Sequence, residues 1–201
     1  MLSFFRMLIY LCRHAQQDVG EADSDIGITS LGEEQSRALG KFLRKKGSQI
    51  LLSSNLPRAL GTAKIVGEVI NLEPKVSPLL REIETPKGAW SEYVKTRHPE
   101  FGYHPGGGES VNDLIARARK GWRWILKEAD GRDAVVICHS IFIKSLLYTL
   151  GFEEHLIRND AVANTGVVIL EAEKEAIRLV KFNYYRHLIP LRIRELGNIF
   201  S

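Results

Sequence analysis

Cysteine and long apolar runs are both rare in this sequence of 201 residues. Its two cysteines, Cys12 and Cys138, lie in short apolar segments, which predicts buried thiols in a reducing compartment rather than a disulfide. No stretch approaches the length of a membrane-spanning helix, so we expect no membrane partner. Arg6 interrupts the apolar start and no small-residue cleavage site follows it, so we expect no signal peptide and a cytoplasmic location.

A strong excess of charge of one sign is also missing. The sequence has 28 basic and 24 acidic side chains, which gives a formal net charge of +4. So small an excess indicates a solvated basic surface, and we predict no nucleic-acid partner. The length and the 44% hydrophobic content suit a single domain that spans residues 1–201.

The residue patterns of several enzyme classes are missing as well. Neither Cys12 nor Cys138 has an arginine six residues later, which a cysteine-based phosphatase needs, and Ser140 lacks the flanking glycines of a serine hydrolase elbow. The glycines of PGGGES follow no strand-like segment and precede no lysine, so they form neither a P-loop nor a dinucleotide fingerprint. No closely spaced ligand pair accompanies His14 or His139, and we predict no metal and no cofactor.

What the sequence does contain is an alternation of apolar strands and amphipathic helices. Helices are predicted after Thr29, from Pro57, from a capping box at Ser110 and Asp113, and before Gly151. Residues 85–108 are rich in proline, glycine and aromatic residues and are predicted as an irregular insertion. The pattern indicates a three-layer α/β domain. Strands are predicted at residues 7–12, 49–54, 134–139, 166–170 and 176–182, with a short extended segment at 76–80 and a polar turn at 171–175.

Basic residues stand at or just beyond the carboxyl ends of three predicted strands. Arg13 and His14 directly follow the first strand. Arg58 lies in the first turn of the helix after the second strand, and His139 ends a later strand. Parallel strands would bring these side chains to one edge of the sheet, where open α/β folds bind ligands. Guanidinium binds phosphate oxygens in a fixed fork, so the cluster predicts a site for a phosphoryl group.

Five short motifs carry a resemblance to a known family. LCRHA, LPRALGTA, LREIE, GGGES and VVICHS occur in the order seen in the histidine phosphatase superfamily, also called the phosphoglycerate mutase-like superfamily. The resemblance extends from about residue 7 to about residue 170. It implies a three-layer α/β sandwich with a mainly parallel central sheet. It also implies phosphoryl transfer through a phosphohistidine, without metal.

The resemblance implies a role for each residue that matches a family motif. His14 matches the nucleophile, and Glu82 in LLREIE matches the general acid. Arg13, Arg58 and His139 match the pocket that binds the phosphoryl group. The resemblance therefore implies a hydrolase of the metal-independent histidine acid phosphatase type.

Further assignments concern substrate binding, where the chain departs from the family pattern. Gln16 is assigned to the substrate site, and so is Ser140, which stands where the family usually has glycine. The Ser140 hydroxyl either contacts the phosphate or narrows the pocket. Ala15 also replaces a usual glycine, directly after the nucleophile.

Two other departures concern the reaction type. Gly20 stands where phosphoglycerate mutases carry asparagine, and Ile83–Pro86 replace their Arg-His-Tyr-Gly. Both differences favour a phosphomonoesterase acting on a phosphorylated small molecule or a phosphoprotein. A cofactor-dependent phosphoglycerate-type mutase is the alternative. A non-catalytic phosphate-binding protein of the same fold is a third hypothesis. Such a protein would be indicated by the loss of the nucleophile or of an arginine, and here all of them are present.

Overall fold

Six strands form one sheet in the part of the chain that the computed structural model describes, which is residues 6–18, 27–86, 102, 104–154, 161–173 and 176–191. Their bounds are β1 (Arg6–Arg13), β2 (Ile50–Ser54), β3 (Lys75–Ser77), β4 (Ala134–Cys138), β5 (Val167–Glu173) and β6 (Ala176–Tyr184). The strand order is β3-β2-β4-β1-β5-β6. The first four strands in this order are parallel, and β5 and β6 add two antiparallel pairings at one side. The predicted mainly parallel sheet is therefore confirmed.

Helices cover both faces of the sheet, which explains why β2 and β4 are buried along their whole length. The four helices are α1 (Ser30–Arg44), α2 (Pro57–Ile70), α3 (Val111–Ala129) and α4 (Ser140–Thr149). Leu39 of α1 and Val66 of α2 belong to the core on one face, while Trp122 of α3 and Phe142 of α4 belong to the core on the other. This arrangement confirms the three-layer α/β prediction. None of the described helices is both long and apolar enough to cross a membrane.

The two cysteines are buried as free thiols, as predicted. Cys12 packs into the core beneath α1 and α2, whereas Cys138 packs into the core beneath α3 and α4. Because the sheet separates the two side chains, they do not pair. Burial raises the pKa of the Cys138 thiol well above its usual value, so this thiol stays protonated at neutral pH.

The helix boundaries follow the predicted start and stop signals. The Thr29 hydroxyl accepts a hydrogen bond from the Gly32 amide at the start of α1, and Pro57 is the first residue of α2. Ser110 and Asp113 form the predicted capping box of α3. Gly151, with a φ of 87°, follows the end of α4.

Two local predictions are corrected by the structure. The segment 76–80 is not extended throughout, because β3 ends at Ser77 and a single 3₁₀ turn follows at Pro78–Leu80. The segment 171–175 is not a turn from its first residue, because β5 continues to Glu173. Glu171 remains in the strand as an ion-pair partner of Arg6 and Arg178, which satisfies its carboxylate. Of the predicted insertion at 85–108, residues 87–101 and 103 lie outside the described residues, and Pro105–Gly107 form a 3₁₀ turn.

A final 3₁₀ segment, Arg186–Leu191, packs back onto α1. The His187 ring stacks at 5.7 Å from the Phe42 ring and 6.2 Å from the Tyr184 ring, measured between centroids. Its Nε2 atom lies 3.1 Å from the Thr165 hydroxyl. Burial lowers the pKa of His187 from 6.5 to about 4.

We expect His187 to make the folded state sensitive to mild acid. The unfolded chain binds a proton here below pH 6.5 and the folded chain only below about pH 4, so stability falls as the pH falls through this window. Between pH 7 and pH 5 the contribution amounts to about 2 kcal/mol. Urea unfolding of His187→Phe, which keeps a ring in the stack, should show a pH dependence weaker by this amount. Equal pH dependence in the variant and the wild type would contradict the assignment.

Candidate active site

The carboxyl ends of β2, β4 and β1 are adjacent, and each delivers polar side chains to the same edge of the sheet. His14 directly follows β1, and its backbone amide donates to the carbonyl of Cys138 at the end of β4 over 2.9 Å. The ring centroids of His14 and His139 are 5.1 Å apart. Arg58, in the first turn of α2, donates from Nε to His14 Nε2 over 3.3 Å. The structure thus brings His14, His139 and Arg58 into one buried cluster.

The tautomer of His14 is fixed by a backbone carbonyl. Only 4% of His14 is exposed, and its Nδ1 lies 2.7 Å from the carbonyl oxygen of Ala15. A carbonyl oxygen only accepts, so Nδ1 carries the proton and Nε2 has the lone pair. Burial, together with the charges of Arg13 and Arg58, holds the pKa of His14 well below 6.5. His14 is therefore a neutral imidazole with an unprotonated Nε2 at physiological pH.

His139 is fully buried, and one of its two ring nitrogens has a hydrogen-bond partner. Its Nε2 lies 2.9 Å from the hydroxyl of Ser54, the last residue of β2. Within the described part of the chain, the buried Nδ1 atom of His139 has no hydrogen-bond partner. Burial, the interaction with the adjacent His14 ring and the charges of Arg58 and Arg13 hold the pKa of His139 well below 6.5. The ring is thus neutral, and its unsatisfied nitrogen is suited to hydrogen-bond a ligand.

The loop that precedes β5 forms hydrogen bonds with the side chain and the backbone of Arg13. Its Nη1 donates to the carbonyl of Val162 over 2.8 Å. The Thr165 amide donates to the carbonyls of Arg13 and His14 over 3.1 and 3.2 Å. Burial lowers the pKa of Arg13 to about 10, with an opposing effect from the charge of Glu82. Arg13 therefore keeps its positive charge at neutral pH.

Glu82, the predicted general acid, binds the start of α4. One carboxylate oxygen, Oε1, accepts from the amides of Ile83 and Phe142 over 3.1 and 3.0 Å. The other, Oε2, accepts from the amide of Ile141 over 3.1 Å. Since α4 begins directly after His139, the carboxylate is tied to the element that positions this histidine. Glu82 thus has a capping contact that the sequence did not predict.

Gln16 and Ser140, the two remaining predicted substrate-binding residues, differ in their surroundings. Ser140 is the half-buried first residue of α4, directly after His139. The Gln16 side-chain oxygen accepts from the Thr29 hydroxyl over 3.1 Å, next to the start of α1. The contact of Gln16 is therefore with the α1 cap, and substrate binding by both residues stays a prediction.

Several residues that support the cluster were missed by the sequence analysis. Ser54 follows the same rule as the predicted residues, since it is a polar residue at a strand end. Thr62 lies one helical turn after Arg58, and its hydroxyl accepts from the Ala15 amide over 3.0 Å. Thr165 has a φ of 54°, which is unusual for a β-branched residue and has no signal in the sequence.

A cavity of about 530 Å³ lies between the two ends of the predicted insertion, residues 85–108. Its walls are formed by Glu84, Thr85, Pro86, Gly107, Gly108, Glu109 and Arg117. Glu84 is two residues from Glu82, so the cavity adjoins the segment that carries the predicted acid. Among the residues that the structure describes, no group of three metal-ligating side chains could hold a metal ion.

Comparisons with known proteins bear on the family and on the fold. The family model of the histidine phosphatase superfamily (branch 1) matches residues 9–184. A probable phosphoglycerate mutase of Photorhabdus laumondii is 27% identical over 176 residues, which cover 79% of this chain and 82% of that one. A broad-specificity phosphatase of Saccharomyces cerevisiae is 26% identical over 190 residues, covering 86% and 82%. The structure of a mycobacterial glucosyl-3-phosphoglycerate phosphatase shares the fold, with a TM-score of 0.75, 24% identity and coverage of 89% and 98%.

Proposed function

Because the chain belongs to the histidine phosphatase superfamily, branch 1, we propose that it is a phosphomonoesterase that works through a phosphohistidine on His14. The observation that carries this proposal is the hydrogen bond from His14 Nδ1 to the Ala15 carbonyl. It leaves Nε2 with a lone pair in a pocket that also contains Arg58 and His139. A neutral, oriented imidazole between cationic groups is suited to attack phosphorus.

In the first step, Nε2 of His14 forms a bond to phosphorus while the bond from phosphorus to the leaving oxygen breaks. The electron pair of that bond stays on the leaving oxygen, which takes a proton from Glu82 and departs as an alcohol. In the second step, water attacks phosphorus and gives its proton to the Glu82 carboxylate. The bond from nitrogen to phosphorus breaks, and its electron pair returns to Nε2 as inorganic phosphate leaves.

The phosphoryl oxygens need donors and positive charge in both steps. Arg13 and Arg58 provide guanidinium groups, and the unsatisfied Nδ1 of His139 provides a neutral donor if Nε2 accepts from Ser54. Most of the catalysis in phosphoryl transfer comes from such positioning and charge stabilisation. This set of donors supplies both without a metal ion.

Several observations support Glu82 as the group that moves the proton in this scheme. Of its two oxygens, Oε2 accepts a single hydrogen bond within the described residues and keeps a lone pair for a proton. Against the lowering effect of burial, its negative charge also raises the pKa of Arg13, which supports a carboxylate in the surroundings of this arginine. The hydrogen bonds from α4 also support this role, because they tie the carboxylate to the helix that begins directly after His139.

Hydrolysis, rather than phosphoryl transfer to a second substrate, is the outcome we propose. The departures from the mutase pattern at Gly20 and Ile83–Pro86 support this choice. The relative named as a probable phosphoglycerate mutase makes isomerisation the alternative. Stimulation of phosphoglycerate isomerisation by added bisphosphoglycerate, above the rate of phosphate release, would favour that alternative.

We expect rapid quenching of the purified protein with radiolabelled substrate to trap a covalent phosphoenzyme. A phosphoramidate is lost in acid and survives alkali, whereas a phosphoserine survives acid. Every reaction contains a chelator, because Arg13 and Arg58 make metal unnecessary in this scheme. Label that survives acid, or activity that depends on added metal, would contradict the proposal.

A further inference from the structure

Arg117, in the first half of α3, uses all of its donors near Glu82. Its Nε and Nη2 bind the two oxygens of Glu109 over 2.8 and 2.6 Å. Its Nη2 also donates to the carbonyl of Glu82 over 3.0 Å. Its Nη1 donates to the carbonyls of Arg81 and Leu79 over 2.7 and 3.2 Å. A guanidinium has five N–H groups, and these five bonds account for all of them.

The backbone that Arg117 binds is the irregular segment that carries the predicted acid. Residues 81–86 lie in no helix or strand, so the segment has no regular hydrogen-bond ladder to hold it. On its far side, the Glu84 amide donates to a Glu109 oxygen over 3.0 Å, and the Glu109 amide donates to the Glu84 carbonyl over 2.6 Å. Arg117 and Glu109 therefore fix the chain on both sides of Glu82.

We propose that Arg117, paired with Glu109, is a positioning residue that holds Glu82 where its carboxylate can protonate the leaving group. The proposal rests on the proposed function, since it assigns Arg117 a part in the proton step of that reaction. The geometry argues against Arg117 as a direct phosphate ligand, because all five of its N–H groups already have acceptors. The pair is also largely shielded from water, with side-chain exposures of 17% for Arg117 and 12% for Glu109. Shielding makes such an ion pair less sensitive to screening by salt.

A positioning role and a merely structural role differ in how the loss depends on the leaving group. An alkyl alcohol is a poor leaving group without a proton, whereas nitrophenolate leaves readily. A residue that positions the acid should therefore matter for alkyl phosphates and little for p-nitrophenyl phosphate. A residue that only stabilises the fold should affect both substrates equally.

The test compares single-turnover rates of phosphoenzyme formation with glycerol 3-phosphate and p-nitrophenyl phosphate. Arg117→Lys keeps the charge but loses the planar fork, and it should slow the alkyl substrate roughly tenfold or more, with less than about threefold loss on the nitrophenyl substrate. In a Glu82→Gln background, where no proton is delivered, the same change should add little. Arg37→Lys is the matched control, because Arg37 makes an exposed ion pair with Glu33 on α1.

Equal losses on both substrates, or full additivity with Glu82→Gln, would overturn the positioning role. Urea unfolding reports whether Arg117→Lys is folded, and Glu109→Gln, which keeps the shape of the pair, replaces it if it is not. Failure of the proposed function is a separate result, because it would appear in the wild type as the absence of any acid-labile phosphoenzyme.

Discussion

His14→Asn should reduce phosphate release on the order of 10⁴-fold or more on every substrate, with the fold unchanged. The asparagine amide can still donate to the Ala15 carbonyl, as Nδ1 of His14 does. It cannot replace Nε2, which is the only nitrogen of this side chain with a basic lone pair. The variant thus removes the proposed nucleophile and keeps the local hydrogen bond. Steady-state phosphate release with p-nitrophenyl phosphate measures the effect, and rapid quenching should detect no phosphoenzyme.

The matched control is the same substitution at His104. Its Nδ1 also lies 2.8 Å from a backbone carbonyl, that of Gly108, but the residue is exposed. His104→Asn should change p-nitrophenyl phosphate hydrolysis by no more than about threefold. Turnover by His14→Asn within about tenfold of the wild type would show that His14 is not the nucleophile. Arg13, Arg58 and His139 remain in the variant, so it should still bind inorganic phosphate.

Much of the fold could be predicted from the sequence because its signals are local and agree with each other. β4 is a short apolar run and β2 begins with one, and each strand is followed by a helix, that after β2 with a recognisable first turn at Pro57. The errors fall where two signals compete. At residues 76–80 the apolar run suggested an extended chain, whereas Pro78 begins a 3₁₀ turn. At Glu171 charge suggested a turn, but the ion pairs with Arg6 and Arg178 let a carboxylate stay in a strand.

The clustering of the candidate site residues could be predicted from the sequence, whereas most of the residues that support them could not. Arg13 and His139 follow directly from the rule that parallel strands converge at their carboxyl ends. Thr165 could not be predicted, because a β-branched residue at positive φ runs against local propensity and is held by contacts distant in sequence. The sequence contains only a weak indication that Arg117 has a role in the site. Arg117 lies three residues after Leu114 on α3, at the border of the helix face that is buried. Its role depends on carbonyls of Leu79 and Arg81, which only the folded chain brings near.

The electrostatics of the cluster suggest how a buried site can be both cationic and nucleophilic. Two imidazoles and two guanidiniums share a small volume, and burial removes the charge from the imidazoles first because their pKa values start at 6.5. Arg13, whose pKa is lowered to about 10, stays charged. In the proposed reaction, the guanidiniums keep His14 unprotonated before substrate binds and then neutralise the phosphoryl charge. One arginine should therefore affect both transition-state stabilisation and the protonation of the nucleophile.

Arg58→Gln tests this double role, and we expect it to lower kcat/KM on the order of 10³-fold at pH 7. The loss should grow as the pH falls, because removing a cation beside His14 raises its pKa and protonates Nε2 at a higher pH than in the wild type. Arg58→Lys keeps the cation and loses the fork, so its loss should be smaller and nearly independent of pH. The ratio of variant to wild-type kcat/KM between pH 5 and pH 8 is the measurement, since it cancels the ionisation of the substrate. A ratio for Arg58→Gln that stays level across this range would mean that Arg58 binds phosphate without controlling the charge of His14.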